Sequence, residues 1–296
     1  MSYAFPPGGL PGQNVNPEGT AVFRESYAVI PAICMRDIVT SFLPGWVSTR
    51  VWILARPMTG FAETFAQYAI EIAPGGGSSE PEPDKDAQAV LFVAFGEVRL
   101  KIGRDTFDLV AGSYAYIPPA AVWTLWNVSD AACGLHWIRK RYTWLEGKQP
   151  PESKVTHEHD ITPVEMPGTA GAWCTQRFVD PLDLRHDMHA NIVTFQPGGR
   201  IPFAETHVME HGLYVLQGTA RYLLNTDWVD VGPGDFMWLR AFCPQACIAT
   251  GDEPFRYLLY KDVNRHPSLS LGGLPSQNRG HRGTMLPRDP AALAGE

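Results

Sequence analysis

Residues 199–218 read GRIPFAETHVMEHGLYVLQG. Glu205 and His207 are two apart on a segment of strand character, so both side chains point to one sheet face, and His211 follows four later with the same parity. The flanking glycines extend the pattern. Gly199, Gly218 and Gly234 punctuate QPGGRIP, VLQGTARYLL and DVGPGDFMWL, and an offset of 122 residues lands on Gly77, Gly96 and Gly112 in APGGGSS, VAFGEVRLKI and DLVAGSYAYIP. The chain therefore carries an internal repeat with the same glycine spacing in both copies. Each copy offers an alternating strand (YAIEI or NIVTF), a Pro-Gly turn, an apolar strand ending in Gly, a hairpin, and a Gly-centred turn leading into another apolar strand. Strands of this length cannot bury one face alone, so each copy should close on itself as a small antiparallel barrel or jelly roll. The expected organisation is all-β with two tandem barrels. A loosely ordered segment spans 1–20, a first barrel 21–143, a Pro/Gly-rich linker 144–172, a second barrel 173–266 and a disordered tail 267–296.

Composition agrees with that reading and narrows the partners. In 296 residues there are 28 Gly and 26 Pro, charged residues are only 19%, and 45% of the chain is hydrophobic, enough for two cores of roughly 100–130 residues each. The formal charge of -7, without a run of basic residues, lacks the footprint that nucleic-acid phosphates or anionic lipids require, so a small molecule is the expected partner. No apolar stretch approaches the roughly 18 residues of a membrane span, and the N-terminal MSYAFPPGGLPGQN has no signal-peptide order, which reads as a cytoplasmic protein. Five scattered cysteines, Cys34, Cys133, Cys174, Cys243 and Cys247, form no CxxC pair and are expected to be reduced core thiols. His157-Glu158-His159-Asp160, and His186 with His189, offer further metal-binding types, but such clusters in exposed segments are usually solvated.

The chemistry concentrates in the second copy. Gln245 lies 27 residues after Gly218, at the end of the strand leaving the GPGD turn. A carboxylate, two imidazoles and an amide oxygen suit a hard or borderline divalent ion; oxygen donors tilt the choice towards Mn(II) or Fe(II), with Ni(II) and Zn(II) remaining open. The first copy serves as an internal control. There the offset maps the four positions onto Pro83, Lys85, Ala89 and Trp123, which are no ligand set, so the first barrel should be metal-free, with apolar bulk where a cation would sit. Tyr257 and Lys261 share one strand face, and Tyr222 lies on the strand after Gly218.

The pattern G-x5-E-x-H-x3-H-x6-G resembles the first metal motif of the cupin superfamily, with the first His and the Glu exchanged in order. The second cupin motif normally supplies one more His; its slot here falls on Gln245, preceded by Arg240 and Phe242 where Pro and Gly are expected. Over residues 20–266, and most closely in ETHVMEHGLYVLQG (205–218), NTDWVDVGPGDFMWLRAFCPQ (225–245) and YLLYKDVNR (257–265), the chain resembles the bicupin family of (S)-ureidoglycine aminohydrolases. The resemblance implies Mn(II) held by Glu205, His207, His211 and Gln245, and substrate-contacting or catalytic roles for Tyr222, Tyr257 and Lys261. It implies loss of ammonia from ureidoglycine followed by addition of water, giving ureidoglycolate in purine (allantoin) catabolism. Lys261 would pair with the carboxylate or shuttle a proton, the tyrosines would orient the ureido group, and Glu205 is either a pure ligand or also a base. The competing expectations are an Fe(II) dioxygenase and a non-catalytic metabolite-binding bicupin. Exposed sheet edges in tandem barrels favour a homo-oligomer.

Overall fold

The offset read from the glycines recurs strand by strand. A computed structural model describes residues 21–35, 43–57, 60–262 and 265; the expected loose segment 1–20 and tail 267–296 lie outside the described residues. β1 (Val22–Phe23) and β2 (Tyr27–Ile30) come first. The first copy follows with β3 (Trp46–Ala55), β4 (Ala66–Ser78), β5 (Ala87–Phe95), β6 (Glu97–Ile102), β7 (Asp105–Val110), β8 (Ser113–Ile117), β9 (Trp123–Trp126) and β10 (Cys133–Arg141). β11 (Lys154–His157) and β12 (Val164–Glu165) bridge to the second copy. That copy comprises β13 (Trp173–Arg177), β14 (Met188–Phe195), β15 (His211–Gln217), β16 (Ala220–Leu224), β17 (Asp227–Val231), β18 (Phe236–Leu239), β19 (Gln245–Ala249) and β20 (Phe255–Asp262). Among the described residues the helical turns are short 3-10 segments such as Ala32–Cys34 and Glu158–Asp160, and no helix is long and apolar enough to cross a membrane. The all-β, two-barrel expectation holds.

The glycines act where the repeat places them. Gly96 and Gly218 both have left-handed φ, +73° and +70°, at the end of the equivalent strands β5 and β15. A Cβ at Gly96 would stand 2.8 Å from the Ala132 carbonyl oxygen, and one at Gly218 would run into the Pro254 carbonyl, so neither position accepts a side chain.

Two connections depart from a simple tandem. β2 does not join the barrel it precedes in sequence; it pairs antiparallel with β18 of the second barrel, Ala28 opposite Trp238. β11 does the reverse, pairing with β8 of the first barrel, Lys154 opposite Tyr116, the residue 122 positions before Trp238. Each copy thus lends its leading strand to the other barrel. Residues 22–30, expected in the first barrel, belong to the second sheet, and part of the expected linker is strand. The exchange protects the edges of β8 and β18 that a simple tandem would expose.

Alternation along β20 shows how core, site and barrel contact are built from one strand. Phe255 and Tyr257 enter the core of the second barrel with Val193, Leu213 and Val215, whereas Leu258 and Tyr260 face the first barrel. The equivalent strand β10 sends Cys133, Leu135 and Trp137 into its own core and Ile138 into the shared layer. In that layer Phe65 stacks on Tyr260 at 3.8 Å and Tyr114 on Phe178 at 4.2 Å. A buried polar link crosses it as well: Asp187 accepts from Lys140 Nζ at 2.7 Å and from the Gln88 amide.

Candidate active site

The first residues of β15 and β19, an isolated bridge and a loop residue carry the proposed ligands. His211 opens β15, with Leu239 of β18 on one side and Lys261 of β20 on the other. Glu205 and Gln245 form an isolated antiparallel bridge in which each backbone N–H donates to the other's carbonyl at 2.9 Å, so their side chains leave the backbone on the same side. His207 is fixed by its carbonyl, which accepts from the Phe242 N–H at 2.6 Å. Phe242 holds a φ of +65°, and Ala120, its repeat equivalent, +62°. The turn that ordinarily uses glycine is therefore kept in both copies by non-glycine residues. Glu205 Oε1 lies 3.2 Å from His207 Nε2, and the His207 and His211 rings stand edge-to-face at 5.2 Å. His211 and Gln245 are buried, and His207 faces the open side.

The surroundings set the state of these donors. His211 Nδ1 lies 3.1 Å from the Glu210 carbonyl, a contact that fixes the proton on Nδ1 and leaves Nε2 as a lone-pair donor. Burial, then the neighbouring His207 and Lys261, pushes its pKa down to about 3, so it stays neutral. Tyr222 donates to Gln245 Oε1 at 3.0 Å. Burial raises the Tyr222 and Tyr257 hydroxyls well above the ordinary tyrosine value, which keeps both as neutral donors. Among the described residues no three His, Cys, Asp or Glu side chains form a ligating group by themselves. Gln245 adds an amide oxygen beside Glu205, a fourth donor of metal-ligating type. Two imidazole nitrogens, a carboxylate and an oriented amide oxygen are donor types that suit a divalent ion with borderline to hard preference.

A cavity of about 140 Å³ opens onto these groups, walled by the inward parity of β13, β14, β15 and β20. Tyr257 and Lys261 line it as the strand parity implies. Tyr222 does not; the structure places it behind Gln245. Lys261 is largely buried, burial and then Arg177 lower its pKa, and no carboxylate among the described residues pairs with it. Sequence reading missed three residues. Asn191 is 1% exposed, lines the cavity, and has no partner for either its amide oxygen or its nitrogen. Arg177 adds a second cation to the same wall. Glu210 is a buried carboxylate that accepts from the Glu63 N–H (2.7 Å), the Thr64 N–H (2.9 Å) and the Trp238 indole (2.6 Å), tying the first barrel to the residue before His211. Alternation along NIVTF could have flagged Asn191 as a polar residue on an inward face.

The 157–160 cluster is engaged in structure, whereas His186 and His189, expected in a solvated segment, are buried. His157 Nε2 contacts the Ala111 carbonyl at 2.8 Å, its Nδ1 accepts from the His159 N–H, and Glu158 pairs with Arg256 at 2.5 Å. All five cysteines are free thiols; Cys243 and Cys247 are buried in the second core.

Comparison with known proteins places this geometry. The cupin domain model matches residues 68–139 and 191–260, one match per barrel. An (S)-ureidoglycine aminohydrolase of Arabidopsis thaliana is 33% identical over 248 residues, 83% of this chain and 79% of the relative. The chain belongs to the (S)-ureidoglycine aminohydrolase family. The Escherichia coli member of that family is 29% identical over 236 residues, 77% of this chain and 86% of its own. A solved Pseudomonas aeruginosa structure, described as a glyoxylate-induced protein, shares 57% identity and a TM-score of 0.83, covering 92% of this chain and all of its own. Both barrels of this aminohydrolase-family chain match the domain model, and the four donors lie in or beside the second match only.

Proposed function

We propose that the chain is a metal-dependent (S)-ureidoglycine aminohydrolase, converting (S)-ureidoglycine and water to (S)-ureidoglycolate and ammonia in purine catabolism. The observation that carries this is the content of one small cavity: four metal-type donors on one side, and on the other two cations and a buried carboxamide without a partner. Its volume of about 140 Å³ is well below the about 300–1,000 Å³ of sites for drug-sized ligands and suits a substrate of a few heavy atoms. Ureidoglycine carries a carboxylate, an amine and a planar ureido group on one carbon.

Glu205, His207, His211 and Gln245 would hold a divalent ion, manganese by our reading, which when bound supplies Lewis acidity and a fixed template for the amine or carboxylate. Lys261 and Arg177 attract the carboxylate. Its arrival restores to Lys261 the countercharge that burial denies it. The Asn191 amide and the Tyr257 hydroxyl face the ureido group, whose N–H and C=O match a carboxamide in both directions. The ureido nitrogen releases its proton as the C–N bond to the amine breaks. Ammonia leaves, and water then adds across the resulting C=N bond to give the hydroxyl of ureidoglycolate. Glu205 and Lys261 are the titratable groups placed to move those protons.

The test is ammonia release from freshly generated (S)-ureidoglycine, with spontaneous loss subtracted and metal content measured on the same sample. We expect metal-dependent turnover, an at least 100-fold fall in kcat/KM for Lys261→Ala with metal retained, and metal loss for His207→Ala. Oxygen consumption without ammonia release would replace this reading with a dioxygenase. Full activity in Lys261→Ala would remove that residue from the mechanism.

A further inference from the structure

Strand register places Lys261 between two imidazoles. On one side β20 pairs with β14, His189 opposite Lys261; on the other it pairs with β15, His211 opposite Lys261. Directly opposed residues of antiparallel strands leave the sheet on the same face, about 4.5–5.5 Å apart at Cβ, so the three side chains form one row across the inner wall of the second barrel. The first barrel has the equivalent row, in which Arg139 stands opposite Ala66 of β4 and Ala89 of β5. There Glu82 neutralises the cation, which also lies over the Trp137 ring at 5.2 Å. In the second barrel no carboxylate among the described residues pairs with Lys261, and imidazoles replace both alanines. The fold does not require them, since the first copy closes the same row with methyl groups. His211 is accounted for as a metal-type donor. His189 has no role yet.

His189 is 5% exposed and does not line the cavity, so it cannot touch the substrate; Lys261 does line it. The Nε2 atom of His189 is buried without a hydrogen-bond partner, which costs stability unless something is gained in return. Burial, then the charges of Lys261, His186 and Arg177, holds its pKa down to about 4, with Asp180 opposing the shift, so the ring is neutral near pH 7. A neutral imidazole keeps one lone pair, and beside a cation the favoured tautomer turns that lone pair towards the positive charge. A lysine ammonium has three N–H donors on a flexible stem, so one bond to an imidazole leaves two for a carboxylate. We propose that His189 is a positioning residue of the carboxylate site: its ring accepts a hydrogen bond from the Lys261 ammonium and, with His211 across the row, confines that ammonium to the cavity where the substrate carboxylate arrives. The inference rests on the carboxylate-binding role of Lys261 given above and concerns how the ammonium is held, not which protons move.

The test uses the intact metal-loaded protein, isothermal titration calorimetry, and hydantoate as probe, a stable relative of ureidoglycine that keeps the carboxylate and the ureido group and lacks the amine. His189→Phe keeps a flat ring and removes the acceptor. His189→Ala, the residue of the first barrel's row, removes it without adding bulk, and His189→Gln returns an acceptor near the Nε2 position. We expect the Phe and Ala variants to bind hydantoate at least tenfold more weakly, the Gln variant to bind within threefold of wild type, and metal content to stay at the wild-type level in all three. The deciding comparison is made in the Lys261→Ala background, where His189→Phe should change hydantoate binding less than twofold, because the residue acts only through that ammonium. In steady-state ammonia release His189→Phe should raise KM at least tenfold and lower kcat less than threefold. Hydantoate affinity within twofold of wild type in both the Phe and Ala variants, the same loss with and without Lys261, or no saturable hydantoate binding at millimolar concentration would each overturn the proposal. Absence of ammonia release with the hydantoate pattern intact would instead sink the aminohydrolase reading and leave the role of His189 standing.

Discussion

Tyr222→Phe separates a residue that touches substrate from one that positions a ligand. The hydroxyl is fully buried, stands outside the cavity walls, donates at 3.0 Å to the oxygen by which Gln245 would bind the metal, and is also hydrogen-bonded with the Tyr257 hydroxyl. The variant keeps the ring, which sits edge-on to Tyr257 at 6.2 Å, so packing is conserved. A neutral hydrogen bond of this kind contributes about 1 kcal/mol net, and loss of a partner that orients a ligand typically weakens metal binding about 10–100-fold. The Gln245 backbone stays fixed by its paired bonds to Glu205, so only side-chain torsions are released. That argues for the lower end, about tenfold or about 1.4 kcal/mol. The assay is a Mn(II) competition titration against a fluorescent chelator, followed by steady-state ammonia release at saturating metal. We expect about tenfold weaker metal binding and near-complete recovery of kcat when metal is in excess. Metal affinity within twofold of wild type, together with a fall in kcat/KM that excess metal does not repair, would refute the positioning role and return Tyr222 to direct substrate contact.

Three further perturbations probe the surrounding shell. Asn191→Leu should raise KM at least tenfold while leaving thermal stability equal to or about 1 kcal/mol above wild type, because it removes a buried amide without partners; calorimetry and kinetics on one preparation check both halves. Glu210→Ala should cost about 3–5 kcal/mol in denaturant unfolding, since it leaves the donors of Glu63, Thr64 and Trp238 without their acceptor, and should lower metal affinity by displacing the start of β15. His136 is buried against Tyr214 at 4.0 Å, and burial holds its pKa down to about 4 from an ordinary 6.5. The unfolded chain binds this proton below pH 6.5 and the folded chain does not, so its contribution, at most about 3 kcal/mol, is present above pH 6.5 and lost as pH falls towards 4. His136→Phe should flatten the fall in melting temperature between pH 6.5 and 4.

Much of the fold was legible because hairpin lengths and turn glycines hold a barrel to a fixed spacing. An offset that fits Gly96 to Gly218 must also fit β5 to β15, and it does. The strand exchange was not legible. β2 and β11 are short, and nothing in YAVI or KVTH says which barrel edge each will cover. In the site, strand parity grouped Glu205, His207 and His211, but residues 201–210 form no strand beyond the isolated bridge at Glu205, and of the three only His211 stands on a strand, β15. Gln245 needed the repeat. Tyr222 shows where parity stops: it places a side chain inside a barrel but cannot say whether the hydroxyl is engaged by a neighbour or offered to a ligand. Asn191 and Glu210 have the same difficulty from opposite sides, since residue type alone does not distinguish a buried polar group without partners from one that accepts several hydrogen bonds.

That distinction also bears on why the two barrels diverged without losing each other. β15, which opens on His211, begins one residue after Glu210, and Glu210 is held by backbone donors of the first barrel. The first barrel has Ala89 and Trp123 at the repeat positions of His211 and Gln245, while its loop at Glu63 and Thr64 holds Glu210 and its residues Phe65 and Tyr114 pack in the shared layer. The exchanged strands β2 and β11 strengthen that dependence, since separating the barrels would uncover β18 and β8 together. A chain truncated to the second barrel alone would retain all four metal-type donors, yet would lose the Glu63 and Thr64 donors to Glu210 and the cover of β18, the strand paired with His211. On this reasoning the first barrel contributes to the reaction through the rigidity of His211.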